Sequence, residues 1–213
     1  MASQRNLPNI ITLSRMAACP AIFFLALSTD GTVLAITFGL FLAAALSDVW
    51  DGYLARKHNL ISDLGKLLDP IADKLLLVST LVPIYIVSHR PAGGGEIPWW
   101  GELPLWVLVV LLGRELMVTL LRGFAVRQGV VIAADRAGKY KALLQNVFMG
   151  AVLLWYALVR FAEQGSWSGA VWDLWVHFHS AVIGLALLLA LVLTIYSMGL
   201  YFWRNRGLAG SNR

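Results

Sequence analysis

Six apolar runs, near 10–28, 33–55, 66–88, 104–125, 142–162 and 175–202, follow one another along the chain. Short polar or Gly/Pro-rich breaks separate them, such as "STDG", "RKHNLISD" and "HRPAGGGEIPWWGELP". Each run is close to the length that crosses a hydrocarbon core of roughly 30 Å as an α-helix. In lipid, backbone N–H and C=O groups must find partners within the segment, so runs of this kind fold as helices. The predicted fold is an all-α integral membrane protein with six transmembrane helices. Its mean hydropathy is +0.71 and its charged fraction 14%, against roughly 25% in ordinary soluble domains. The first run resembles a signal peptide in length. However, Arg15 lies within it and no small-x-small cleavage site follows, so it reads as an uncleaved first helix.

Orientation follows from Lys and Arg. With the N-terminus in the cytoplasm, 15 of the 17 Lys and Arg residues fall at cytoplasmic segments and helix ends; only Arg90 and Arg160 fall opposite. That bias predicts both termini inside. Trp99, Trp100, Trp106, Trp167, Trp172 and Trp175 then gather at the outer interface as an aromatic belt. The chain reads as one six-helix catalytic domain over 1–203, with a short basic cytoplasmic tail at 204–213. The net charge of +5 points to topology and anionic lipid rather than nucleic acid, because the basic residues are not interleaved with stacking aromatics. The lone Cys19 excludes an intramolecular disulfide.

Against this apolar background, "DVWDGYLARKHNLISDLGKLLDPIAD" is anomalous. Asp48 and Asp51 share one face of the second helix with Ala55, bordered by Gly52; Gly65, Asp69 and Asp73 share one face of the third. Taking Arg56 and Gly65 as helix ends puts Asp48 and Asp73 each eight residues away, roughly 12 Å below the turn at 1.5 Å per residue. Asp51 and Asp69 lie shallower. The short connection predicts antiparallel neighbours, so the four carboxylates can converge on a pocket open to the cytoplasm.

Such carboxylates repel one another, or take up protons, unless cations hold them. Helix–helix glue is a poor explanation for four of them at matched depth. Oxygen ligands select Mg²⁺, Mn²⁺ or Ca²⁺ over Zn²⁺. Two ions about 3.5–4 Å apart form the arrangement that clamps a phosphate. Gly52, Ala55 and Gly65 leave room for a bulky ligand, and Arg56 adds a nearby cation. The "HFH" of His177 and His179 lies at the outer interface and reads as structural, and Gly93–Gly95 reads as a flexible loop.

The spacing Asp48-x-x-Asp51-Gly52-x-x-Ala55-Arg56, then eight residues, then Gly65-x-x-x-Asp69-x-x-x-Asp73, resembles the signature of the CDP-alcohol phosphatidyltransferase family at all eight positions. Pro8, Asn9, Thr12 and Arg15, then Arg114, Glu115, Leu121 and Arg122, then Gly138, Lys139 and Lys141, resemble the branch of that family whose acceptor is glycerol 3-phosphate. The resemblance implies the family fold, with the site near the cytoplasmic face of a bacterial inner membrane. It implies phospholipid synthesis: the hydroxyl of sn-glycerol 3-phosphate attacks the β-phosphorus of CDP-diacylglycerol, giving phosphatidylglycerol phosphate and CMP.

Asp48, Asp51, Asp69 and Asp73 would then hold a pair of Mg²⁺ or Mn²⁺ ions, with Asp73 also the general base. Asn9, Thr12, Gly52, Ala55, Arg56 and Gly65 would border CDP-diacylglycerol. Arg114, Arg122, Lys139 and Lys141 would take the acceptor phosphate, Arg by bidentate contact and Lys as a point charge. Glu115 would orient a neighbouring Arg rather than bind metal. The resemblance also suggests a homodimer. Inositol phosphate, serine and phosphatidylglycerol are the alternative acceptors. A carboxylate-based cation transporter is the alternative from another class, disfavoured because the carboxylates occupy one half of the chain only.

Overall fold

The computed structural model describes residues 7–57, 63–90, 95–127 and 136–205. Among these the chain forms six helices: α1 (Leu7–Leu25), α2 (Gly31–Lys57), α3 (Asp63–Ser88), α4 (Leu105–Arg127), α5 (Arg136–Gly165) and α6 (Ala170–Asn205). An isolated bridge between Ile97 and Gly101 is the extent of β structure among the described residues. Of the expected tail, 204–213, the first two residues end α6 and the rest lies outside the described residues.

Four helices carry stretches long and apolar enough to cross a membrane, at Gly31–Asp48, Pro70–Ser88, Gly138–Gly165 and Ala170–Leu200. The apolar part of α1, Asn9–Leu25, is shorter. In α4 the apolar run is broken midway by Arg114 and Glu115. Exposed apolar side chains line the outside of the bundle, among them Phe24, Trp50, Val109, Leu120 and Val192. In a soluble protein so much exposed apolar surface would be a liability; here it is the surface that lipid covers.

The helices close into a ring. α1 packs on α2 and α3, α2 on α5, α5 on α6, and α4 joins α3 to α6. The two helices of the expected hairpin, α2 and α3, are present, and the connection between them, 58–62, lies outside the described residues. Its two arms meet each other little among the described residues, because α1 occupies the seam between them. Ile22, Phe41, Leu81, Ile84, Phe148, Leu153 and Leu187 fill the ring's interior.

Local signals explain several boundaries. Asp30 caps α2, its Oδ1 accepting from the backbone N–H of Thr32 at 2.8 Å and Val33 at 3.0 Å. Arg90 donates from Nη2 to the Leu27 carbonyl at 2.7 Å, satisfying a backbone acceptor just past the end of α1.

The end of the bundle opposite the α2–α3 turn is closed by 95–104, and here the sequence reading needs correction. Gly95 is not part of a flexible loop. It is buried, its carbonyl accepts from Tyr156 Oη at 2.8 Å, and a Cβ on it would stand 2.1 Å from the Val87 carbonyl oxygen. Ile97 and Leu103 are buried beside it, and the Leu103 N–H donates to Ser88 Oγ at 3.0 Å. Trp99, at φ 70°, lays its ring over Gly184. Trp172, Trp175 and His179 stack in series along α6, with Trp155 of α5 beside them. His179 donates from Nε2 to the Ala151 carbonyl at 2.9 Å, a structural role as expected.

Candidate active site

The helical register of α2 and α3 carries Asp48 and Asp73 to the same level, and the structure shows what lies between them. Arg15 of α1 donates from one atom, Nη1, to Asp48 Oδ1 and, at 3.1 Å, to Asp73 Oδ1. The Arg15 side chain is fully buried, whereas those of Asp48 and Asp73 are 42% and 57% exposed. The guanidinium therefore reaches the two carboxylates from inside the bundle while each keeps surface free toward the opening. Matched depth, expected from residue counting, is met for this pair.

The backbones of Asp51, Gly52, Ala55 and Arg56 continue α2, and those of Gly65 and Asp69 lie in α3. Their side chains lie outside the described residues, as does that of Arg122. Among the described residues no three acidic, His or Cys side chains gather as a metal-ligand set. The donors that are described fit a hard divalent cation: carboxylate oxygens from two helices, bridged by one nitrogen and partly open. Thr12 is buried one turn before Arg15 on the same face of α1, and Asn9 is half-buried near the start of that helix.

A second polar cluster is built by α4, α5 and α6. Glu115 Oε1 accepts from Arg114 Nη1 at 3.0 Å and pairs with Lys141 Nζ. Arg114 also donates from Nη2 to Ser197 Oγ of α6 at 3.1 Å. Lys141 is buried, and Arg114 and Lys74 lie within electrostatic reach of it. Lys74 follows Asp73 in α3, so the second cluster lies within electrostatic reach of the helix that carries Asp73. Glu115 thus orients cations, as the sequence reading expected. Gly138 faces Arg114, whose Nη2 would lie 3.9 Å from a Cβ there.

The structure separates the two lysines of "GKYK". α5 begins at Arg136, not 142, so both lie on the helix. Two positions apart is about 200° around the axis at 3.6 residues per turn. Lys141 turns inward, and Lys139 is exposed. Gln145, one turn beyond Lys141, was missed by the sequence reading. It is buried, and its Nε2 has no hydrogen-bond partner among the described residues. Its signal was a polar residue at i+4 from Lys141 within an apolar helix. Arg15 announced itself similarly, as a charge inside an apolar run, but its partners lie 33 and 58 residues away.

The model of the CDP-alcohol phosphatidyltransferase family matches residues 5–203. This chain belongs to that family. Over 153 residues it is 37% identical to a protein of Mycobacterium tuberculosis (strain CDC 1551 / Oshkosh) named as a probable phosphatidylglycerophosphate synthase. The match covers 70% of this chain and 66% of that protein, just under two thirds of the relative's length. It is 35% identical over 161 residues to the CDP-diacylglycerol–glycerol-3-phosphate 3-phosphatidyltransferase of Bacillus subtilis (strain 168), covering 70% of this chain and 77% of that one. The Rickettsia prowazekii (strain Madrid E) protein of the same name is 32% identical over 154 residues, covering 72% and 78%.

Proposed function

We propose that this membrane transferase moves the phosphatidyl group of CDP-diacylglycerol to sn-glycerol 3-phosphate, releasing CMP and forming phosphatidylglycerol phosphate. The observation that carries the reading is the convergence of Asp48 and Asp73, from two helices, on one level of the bundle beside a second, cation-rich cluster. A diphosphate donor and a phosphate-bearing acceptor call for those two features side by side. The names of the relatives support the choice of donor and acceptor.

Asp48, Asp51, Asp69 and Asp73 would hold divalent ions, Mg²⁺ or Mn²⁺, which neutralise charge on the transferring phosphate. Asp73 accepts the proton of the acceptor hydroxyl as that oxygen bonds to the β-phosphorus. The bond from that phosphorus to the CMP oxygen breaks, and CMP leaves with the electron pair. Arg114, Arg122, Lys139 and Lys141 would take the acceptor phosphate, Lys141 from inside the bundle and Lys139 from its exposed face. Asn9, Thr12, Gly52, Ala55, Arg56 and Gly65 border the donor. All six helices span the bilayer, α1 and α4 included, since burying the charges of α4 against Glu115 and Ser197 removes them from lipid. The Lys and Arg bias supports cytoplasmic termini and a site opening to the cytoplasm; the family resemblance favours residence in the inner membrane, as a single domain over 1–203 with a basic tail over 204–213. A homodimer is the assembly the family resemblance favours.

The test supplies membranes holding this protein with CDP-diacylglycerol and one acceptor at a time. Glycerol 3-phosphate should release CMP; inositol phosphate, serine and phosphatidylglycerol should not. Release with another acceptor and none with glycerol 3-phosphate refutes the assignment.

A further inference from the structure

Arg15 is a permanent charge in the interior of an apolar bundle. Its guanidinium does not deprotonate in proteins, and its side chain is fully buried. Burying such a charge is costly unless partners compensate it. The compensation is specific: one nitrogen bridges Asp48 of α2 and Asp73 of α3, the two deepest aspartates of the α2–α3 hairpin. α1 fills the seam where those helices meet little, so this bridge is a tie across three helices.

We propose that Arg15 is the built-in counter-ion and positioning residue of the carboxylate site. It holds one oxygen of Asp48 and of Asp73 in place from within the bundle, and keeps the site assembled before any divalent ion enters. The inference rests on the metal-binding role given to these aspartates above. It has two consequences. In the metal-free protein, Arg15 offsets the mutual repulsion of the carboxylates, so α2 and α3 do not splay. In the loaded site, four carboxylates and two divalent ions cancel, and Arg15 leaves one net positive charge toward the donor diphosphate. Thr12, one turn away on the same face of α1, is fixed in register with the carboxylates by the same tie.

The test compares thermal midpoints of the full-length protein in detergent, with EDTA or with Mg²⁺ and no substrate. In wild type the gap between the two conditions is modest, because Arg15 already supplies a cation. In Arg15→Gln the site is more negative. Mg²⁺ then binds more tightly, because no resident cation competes with it for the carboxylates, and the gap widens. Asp48→Asn alone leaves Arg15 short of one partner and lowers the EDTA midpoint. Combined with Arg15→Gln it should lower it by less than the sum of the two single losses. Arg15→Lys, which keeps the charge, should hold the gap near wild type.

Equal losses with and without Mg²⁺ in Arg15→Gln, or strict additivity with Asp48→Asn, overturn the proposal and leave Arg15 as packing. If Arg15→Gln does not fold, the Arg15→Gln/Asp48→Asn double variant decides. Its folding where the single variant fails supports the charge tie, and its failing equally overturns it. These midpoints contain neither donor nor acceptor. A wrong acceptor assignment would therefore leave them unchanged, and indifference of the wild-type and Arg15→Gln midpoints alike to Mg²⁺ would instead strike the metal role itself.

Discussion

Replacing Glu115 by Gln isolates the second polar cluster. The substitution preserves shape and removes one negative charge that holds two cations, Arg114 at 3.0 Å and Lys141. The side chains of Lys141 and Arg114 are only 1% and 10% exposed, and that of Glu115 is 24% exposed. Removing one partner of a buried ion pair costs about 3–5 kcal/mol. Glu115 is partly open to screening, so about 2–3 kcal/mol is the expected loss. For a chain of this size that lowers the thermal midpoint by about 4–12 °C.

Glycerol 3-phosphate brings its own negative charge to the same cations. Bound to the folded state alone, it should restore more of the midpoint in Glu115→Gln than it adds to wild type. Differential scanning fluorimetry of purified protein, with the acceptor titrated and no donor present, reads both effects. A loss below about 1 °C, under what even half a kcal/mol would give, would show that the pair is not a buried coupling. Equal stabilisation of both proteins by the acceptor would show that its phosphate does not sit at Arg114 and Lys141.

Other expectations follow from the same geometry. Asp73→Asn should reduce turnover by at least about 100-fold, the low end of general acid–base contributions, while CDP-diacylglycerol binding in a filtration assay falls much less; equal losses would make Asp73 chiefly a metal ligand. Lys141→Ala should raise the KM for glycerol 3-phosphate well above that of Lys139→Ala, since Lys141 faces inward and Lys139 outward; steady-state kinetics of the two variants checks the order. Gly95→Ala would drive a Cβ to 2.1 Å from the Val87 carbonyl oxygen, and should cost at least about 1–3 kcal/mol by overpacking, read as a lower midpoint.

Much of this was legible in the residues. Apolar run length set the six helices, and residue counting from Arg56 and Gly65 set the shared depth of Asp48 and Asp73, because helical rise is fixed. Helix ends were less legible. α5 starts at Arg136 because Arg and Lys extend a helix without being apolar, so hydropathy put its start six residues late. That shift decides which lysine of "GKYK" faces inward. Arg15 was visible as a charge in an apolar run, yet its partners belong to other helices, and only packing brings α1 into the seam between α2 and α3. Gly95 was misread for the same reason. A glycine cluster in a polar break suggests freedom, and nothing local reports that Val87 and Tyr156 close around it.

The central claim is that the carboxylate hairpin serves transfer of a phosphatidyl group to glycerol 3-phosphate. The most direct measurement follows labelled glycerol 3-phosphate into chloroform-soluble lipid, using purified protein with CDP-diacylglycerol. Label should enter lipid with Mg²⁺ or Mn²⁺ present, stop with EDTA, and stop in Asp48→Asn. Undiminished incorporation in Asp48→Asn, or none in wild type with either metal, would contradict the account.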